Sequence, residues 1–209
     1  MRVLMVAAHP RQDSFTHALL TAARRGAVTA GHDVTVLDLY ELGFDPVMSP
    51  AERAAYDTDE PLLDPLARQH AELVRDHDVL VFVYPTWWSS LPAMLKGWLE
   101  KVMVNGVAFE LVDGRVRPAL GHVHRVVGIS TYGSAWWVVK SLNDGGRRTI
   151  CRALRMSCGP TTSSTWIGCY SIDTAGAAER EAFLDRVEHS MSHLHLERTR
   201  WWRRRRSTA

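Results

Sequence analysis

The chain has 209 residues, 46% of them hydrophobic, enough for one core of ordinary domain size. Its formal net charge of +2 hides an asymmetry: Arg198, Arg200 and Arg203 to Arg206 fall in the last twelve positions, leaving 19 basic against 23 acidic residues before them, so a mildly acidic body carries a basic tail. No segment reaches the roughly 18 consecutive apolar residues of a membrane span, the start lacks the basic flank and apolar run of a secretory signal, and nothing before the tail resembles a basic nucleic-acid-binding face, so the expectation is a soluble, cytoplasmic protein.

The first predicted strand is "RVLMVAA" (Arg2 to Ala8), a short apolar run suited to burial on both faces. It opens into "AHPRQDSFTHAL", where small polar side chains precede a helix over Ser14 to Gly31, with apolar positions at Phe15, Ala18, Leu19, Ala22 and Ala23 and Gly31 as its C-terminal stop. "DVTVLDL" (Asp33 to Leu39) is the second strand. "SPAE" at Ser49 to Glu52 reads as a capping box with proline in the first turn, and Asp64-Pro65 opens another helix in the same way.

"DVLVFVYP" (Asp78 to Pro85) is the third strand, and "LPAMLKGWLEKVM" follows with an apolar stripe at Leu91, Met94, Leu95, Trp98, Leu99 and Val102, leaving Glu100 and Lys101 solvated. "RVVGIST" (Arg125 to Thr131) and a weaker run within "TSSTWIGCY" (Thr162 to Tyr170) complete five strands, and a last helix spans about Ala175 to Leu196. Strands alternating with helices predict right-handed βαβ units and one three-layer α/β domain over residues 1–197, with 198–209 as the basic Arg/Trp tail. A parallel sheet of order 2-1-3-4-5 would bring the loops after strands one, three and four to one crevice beyond the strand ends.

Those loops carry the chemistry. The first leads into a helix whose free N–H groups and positive dipole end suit a phosphate, with Ser14 and Thr16 as added hydroxyl donors. Its turn has no glycine, which removes support for a GxGxxG dinucleotide fingerprint and for a Walker loop. The second, "YPTWWSSLP", holds two adjacent tryptophans between prolines, which suits a ring-shaped ligand or a neighbouring subunit, and its backbone N–H groups suit the polar edge of a heterocycle. The third, "STYGS", presents hydroxyls, with Gly133 permitting close approach. A phosphate on one side and a planar ring between the other two loops describe a flavin.

"AHPRQDSF", "STYGS" and above all the pattern P-x-x-W-x-x-x-P-A-x-L-K-G-W-x-E, in that order over Arg2 to Tyr170, resemble the NAD(P)H:quinone oxidoreductases of the flavodoxin-like superfamily. The resemblance implies a bound flavin, usually FAD and sometimes FMN, a homodimer, and ping-pong reduction of quinones or other planar acceptors by NADPH or NADH. It implies that His9, Ser14, Phe15 and Thr16 hold the flavin pyrophosphate and ribityl chain, that Pro85, Thr86, Trp87 and Trp88 run along the ring, and that Thr131, Tyr132, Gly133 and Ser134 meet its pyrimidine edge. Trp88 and Tyr132 are the candidate substrate-cavity residues; no protein acid or base is required, because hydride exchange belongs to the flavin. Lys140 and Gly146 stand where animal members carry a tyrosine and a histidine for proton handling, so the proton route is open.

The remaining signals are weaker. Cys151, Cys158 and Cys169 have no zinc-site spacing and read as free thiols. His122 and His124 read as surface residues, and His189 and His193, four apart, as a solvated helix face with no metal. The Arg/Trp tail suits a nucleic acid or an anionic membrane, or simply solvent. The alternative to an oxidoreductase is a flavodoxin-like electron carrier or redox-responsive binding protein; response-regulator signalling needs an acidic pocket at the strand ends, where "AHPRQD" offers only Asp13.

Overall fold

The computed structural model describes residues 1–56 and 58–194, so the basic tail expected over 198–209 lies outside the described residues. The elements run β1 (Arg2–Ala7), α1 (Phe15–Thr29), β2 (Asp33–Asp38), α2 (Pro50–Ala55), α3 (Pro65–Asp76), β3 (Val79–Pro85), α4 (Ala93–Val102), β4 (Phe109–Val112), β5 (Arg115–Pro118), β6 (Arg125–Thr131), α5 (Trp136–Ser141), α6 (Gly145–Arg148), a π-helical segment (Thr149–Leu154), β7 (Ser163–Cys169) and α7 (Ala177–Ser192). Five strands form one parallel sheet in the order β2-β1-β3-β6-β7, the predicted 2-1-3-4-5 once the separate β4–β5 hairpin is set aside. Among the described residues no helix is long and apolar enough to cross a membrane.

The unbroken apolar runs of the central strands follow from burial on both faces. In β3, Leu80, Phe82 and Tyr84 pack with α3, α4 and the π segment, while Val79, Val81 and Val83 pack with α1 and α7. β1 divides in the same way, Leu4 and Val6 to one side, Val3 and Met5 to the other. The alternation of direction along a strand thus loads two separate cores from one short sequence.

The caps stand where the sequence puts them. Ser49 and Glu52 form the reciprocal capping box of α2, and Asp64 accepts from Leu66 and Ala67 at the start of α3. Helix α1 ends at Thr29, and Gly31 follows with φ of 77°, a conformation that glycine adopts without Cβ strain. α7 begins at Ala177 rather than Ala175 and ends at Ser192.

Three features depart from expectation. The β4–β5 hairpin turns at Asp113-Gly114, both with positive φ, the pattern of a type I′ turn. Its strands are short and exposed, so they lack the apolar runs that mark the main sheet. Helices α5 and α6 are equally short. The third departure is Lys101, which is buried rather than solvated: its Nζ lies 3.0 Å from Glu52 Oε1, 3.0 Å from Asp64 Oδ2 and 3.0 Å from the Asp45 carbonyl. The chain between β2 and α3 folds over the last turn of α4, and contacts from so distant in sequence leave no trace in the helical period.

Burial pushes both carboxyls up, but their hydrogen bonds and the Lys101 ammonium outweigh it and hold Glu52 and Asp64 below the ordinary carboxylate range. A carboxyl with a lowered folded-state pKa contributes stability that is complete above its unfolded value and lost as pH falls through the folded one. Stability is therefore expected to be flat near neutrality and to decline below about pH 4. Lys101→Ala strands two carboxylates and should cost about 3 kcal/mol in urea denaturation at neutral pH, with a weaker loss on acidification than the unaltered chain shows.

Candidate flavin and substrate site

The loops after β1, β3 and β6 meet beyond the carboxyl ends of the strands. Each is held by a bond that prolongs the sheet: Ala8 N–H donates to the Val83 carbonyl at 3.1 Å, Thr86 N–H to Thr131 at 2.8 Å and Tyr132 N–H to Cys169 at 2.8 Å. Between the second and third loops lies a cavity of about 310 Å³, lined by Thr86, Trp88, Ser89, Tyr132, Gly133, Ser134, Val139 and Leu142. His9 joins the first loop to the second, its ring 6.0 Å from that of Trp87 and 6.2 Å from that of His17. Burial lowers its pKa.

At the first loop, Ser14 caps α1 by accepting from His17 N–H, and its hydroxyl lies 3.0 Å from His17 Nδ1. His17 Nε2 lies 2.7 Å from Asp38 Oδ2, which also accepts from Gln12 at 2.9 Å. The His17 ring thus bridges the Ser14 hydroxyl and the Asp38 carboxylate through its two nitrogens. That hydroxyl also caps the helix end, and the Thr16 side chain is buried. What the loop offers an anion is backbone: the N–H groups of Gln12, Phe15 and Thr16 have no partner among the described residues. Burial would raise the Asp38 carboxyl, but the bonds from His17, Gln12 and Glu41 N–H outweigh it and lower its pKa. Phe15 is half-buried against the α1–α7 core, with the Arg180 guanidinium 6.0 Å above its ring.

The second loop is a tight hairpin. Trp87 and Ser90 exchange both backbone bonds, at 3.2 and 3.0 Å, and the two residues between them, Trp88 and Ser89, have φ of 50° and 57°. Such a turn ordinarily takes Asn-Gly or Asp-Gly. Here it lifts the Trp88 side chain fully into solvent, at 101% exposure, with Trp87 at 42%. Pro85 is buried at the strand end, and the Thr86 hydroxyl pairs with Ser130 at 2.8 Å. The bonds made by Thr86, Trp87 and Ser90 leave the N–H groups of Trp88 and Ser89 as the available donors.

In the third loop Thr131 and Tyr132 are buried while Gly133 and Ser134 are exposed, and the N–H groups of Gly133 and Ser134 have no partner among the described residues. A Cβ on Gly133 would fall 2.5 Å from Asp173 Oδ2. The Tyr132 ring stacks on Tyr170 at 4.7 Å and its hydroxyl donates to Asp144 Oδ2 at 2.8 Å. Burial, with the Asp144 charge beside it, pushes the Tyr132 phenol far above its ordinary pKa, so it stays neutral.

Of the twelve sequence-derived residues, Thr86, Trp88, Tyr132, Gly133 and Ser134 line the cavity, Trp87 stands beside it against His9, Pro85 and Thr131 are buried at the strand ends, and Ser14, Phe15 and Thr16 lie at the start of α1. Asp144, Asp38, His17 and Tyr170 join the site without a place among the sequence-derived candidates. Asn143-Asp144-Gly145-Gly146 is a recognisable turn signal that could have drawn attention to Asp144; the others leave no local mark. Lys140 lies over the Trp136 ring at 5.0 Å and Gly146 is packed under Tyr84 Oη, so neither lines this cavity. His189 and His193 have rings 4.1 Å apart on α7, and no group of three or more metal-ligating side chains occurs among the described residues.

Four cavity-lining residues with N–H groups unpartnered among the described residues, and three more such N–H groups at and just before the start of α1, fit a heterocycle joined to a phosphate. A family model described as flavodoxin-like fold matches residues 1–151. The chain is 40% identical over 117 residues, 56% of its length and 59% of the other's, to YcaK of Escherichia coli K12, named an uncharacterized NAD(P)H oxidoreductase. It is 33% identical over 150 residues to NAD(P)H dehydrogenase [quinone] 1 of Cavia porcellus, covering 64% of this chain and 54% of that one. It therefore spans a little over half the length of these curated relatives. It also matches, in fold, a Bacillus anthracis FMN-dependent NADH-azoreductase solved with FMN: TM-score 0.76, 14% identity, 92% of this chain and 98% of the other.

The role of Ser14 is directly testable. Ser14→Ala should lower stability by about 1 kcal/mol in chemical denaturation, the loss of a helix cap. A stability unchanged by the substitution would mean that the His17–Asp38 pair holds the turn without it.

Proposed function

The chain belongs to the flavodoxin-like fold family, and from that premise we propose that it is a flavin-dependent NAD(P)H oxidoreductase reducing quinones or related planar acceptors in a ping-pong cycle. The observation that carries this reading is the cavity between Thr86–Ser89 and Tyr132–Ser134, with four unpartnered N–H groups on its walls. The names of the curated relatives support the donor and the acceptor class. A bound flavin would supply hydride exchange at its N5.

The chain's own residues bind and orient. The N–H groups of Gln12, Phe15 and Thr16 would hold the flavin phosphate, with Ser14 and His9 shaping that turn. Pro85, Thr86 and Trp87 would lie along the ring, and Thr131, Tyr132, Gly133 and Ser134 would meet its polar edge. Trp88, free in solvent, and neutral Tyr132 would bound the acceptor space, beside the Val139 and Leu142 side chains. FAD is the flavin implied by the resemblance, and FMN is the one named for the azoreductase neighbour.

Trp88 and Leu142 at this cavity, and Trp136 and Trp137 on the adjoining α5, are exposed large apolar side chains, which supports a homodimer covering this face. We take residues 1–197 as the single catalytic domain, acting in the cytoplasm, with the Arg tail as a separate basic segment.

The first test is an absorbance spectrum of the purified protein with FAD and then FMN, before and after anaerobic NADPH or NADH. Flavin bands that bleach with the nucleotide and recover with a quinone are expected. A protein that takes up neither flavin overturns the reading, and a flavin that no nucleotide reduces moves it to an electron carrier. In the active protein, Trp88→Ala should raise the acceptor KM by about tenfold, the equivalent of one aromatic contact worth ~1.4 kcal/mol, with a smaller change in flavin retention. Equal losses of both would make Trp88 part of the cofactor cradle.

A further inference from the structure

A second cavity, about 320 Å³, opens on the other side of α5, between that helix, the α6–π segment and β7. Its walls carry four cations, Lys140, Arg147, Arg148 and Arg152, and one carboxylate, Asp144. None of the four cations has a carboxylate partner among the described residues. Both Asp144 oxygens are engaged, Oδ2 by the Tyr132 hydroxyl at 2.8 Å and Oδ1 by Arg147 N–H at 3.2 Å. Burial pushes the Cys151 thiol up to about 11, so it adds no negative charge at neutral pH. Four unpaired cations on one concave surface repel each other, and an anion relieves that repulsion.

The two cavities are neighbours. Val139 lines both, Leu142 lines the first and Asn143 the second, and the Tyr132–Asp144 bond links their walls. At the rim of the second, Trp136 is 54% exposed, a flat surface beside the cations. A ligand whose one end is a ring in the first cavity and whose other end bears phosphates and an aromatic base matches this pair.

We propose that the second cavity binds the phosphate-bearing adenosine end of the pyridine dinucleotide donor, and that its arginines select the donor carrying a 2′-phosphate, NADPH, over NADH. This rests on the oxidoreductase reading above. Three arginine forks suit the planar, multidentate recognition of a phosphate monoester. The additional dianion is what distinguishes the two donors, so the selectivity belongs to this cavity and leaves the ring cavity uncommitted.

Two measurements separate the subsite from the activity. By titration calorimetry, adenosine 2′,5′-bisphosphate should bind at least about tenfold tighter than 5′-AMP, and Arg147→Gln/Arg152→Gln should abolish the difference with the circular dichroism spectrum retained. In steady-state assays the NADPH to NADH ratio of kcat/KM should exceed about ten and fall towards one in the same variant. Inorganic pyrophosphate binding as tightly as the bisphosphate would reduce the cavity to an unselective anion site and overturn the assignment, as would equal binding of the two nucleotides. A chain that binds no flavin but still prefers the bisphosphate would defeat the oxidoreductase reading while leaving the subsite standing.

Discussion

The hydrogen bond from Thr86 N–H to the Thr131 carbonyl, 2.8 Å long, carries the β3–β6 ladder one step beyond its last strand pair. It fixes the separation of the two loops that face each other across the ring cavity. Ala8 to Val83 and Tyr132 to Cys169 do the same for the adjacent strands, so every functional loop leaves the sheet from a bonded root. Each such bond is worth on the order of 1 kcal/mol, and the sheet beneath is buried on both faces. The roots thus keep the spacing on which a preformed binding site depends.

Against that rigid base the Trp88-Ser89 turn stands out. Two side-chain-bearing residues in the left-handed region cost about 1 kcal/mol each or more. The hairpin bonds between Trp87 and Ser90, and the bond from Gly145 N–H to the Ser89 carbonyl at 3.0 Å, offset the strain. The Asp113-Gly114 turn makes the same reversal with residues that suit it. A fully exposed indole adds no buried area to the fold, so the strain secures a position for Trp88 and no stability. It also couples the two cavities, since the helix that anchors Ser89 is the one that presents Arg147.

The parts legible from sequence were those with a local physical signature. Apolar runs such as Val79–Pro85, the capping box at Ser49 and the stripe through Leu95 and Trp98 each record burial or capping within a few residues of themselves. The three loops could be located because strand order alone decides which strand ends converge. Illegible were the contacts made across distance: Lys101 between Glu52 and Asp64, His17 on Asp38, Tyr132 on Asp144. In each case a polar side chain on one element is satisfied by another far along the chain, and neither neighbourhood announces it. The Ser14 hydroxyl shows the limit most clearly: the residue type fits phosphate binding and helix capping equally, and only the fold shows the cap it makes on His17 N–H.

The second cavity depends on an irregularity of the same kind. Gly146, Ile150 and Leu154 recur every four residues and face the core, while Arg147, Arg148, Cys151 and Arg152 recur at the same interval and face the cavity. In an α-helix a strict four-residue period drifts by about 40° per step, so over the two steps from Gly146 to Leu154 the core-facing set would turn by about 80°. The wider π turns over Thr149–Leu154 take up that drift and keep both sets aligned. Regular helix would have rotated Arg152 away from Arg147 and dispersed the charge. The concentration of three arginines on one wall is therefore a property of the backbone as much as of the composition, and it rests on the packing of Ile150 and Leu154 beneath.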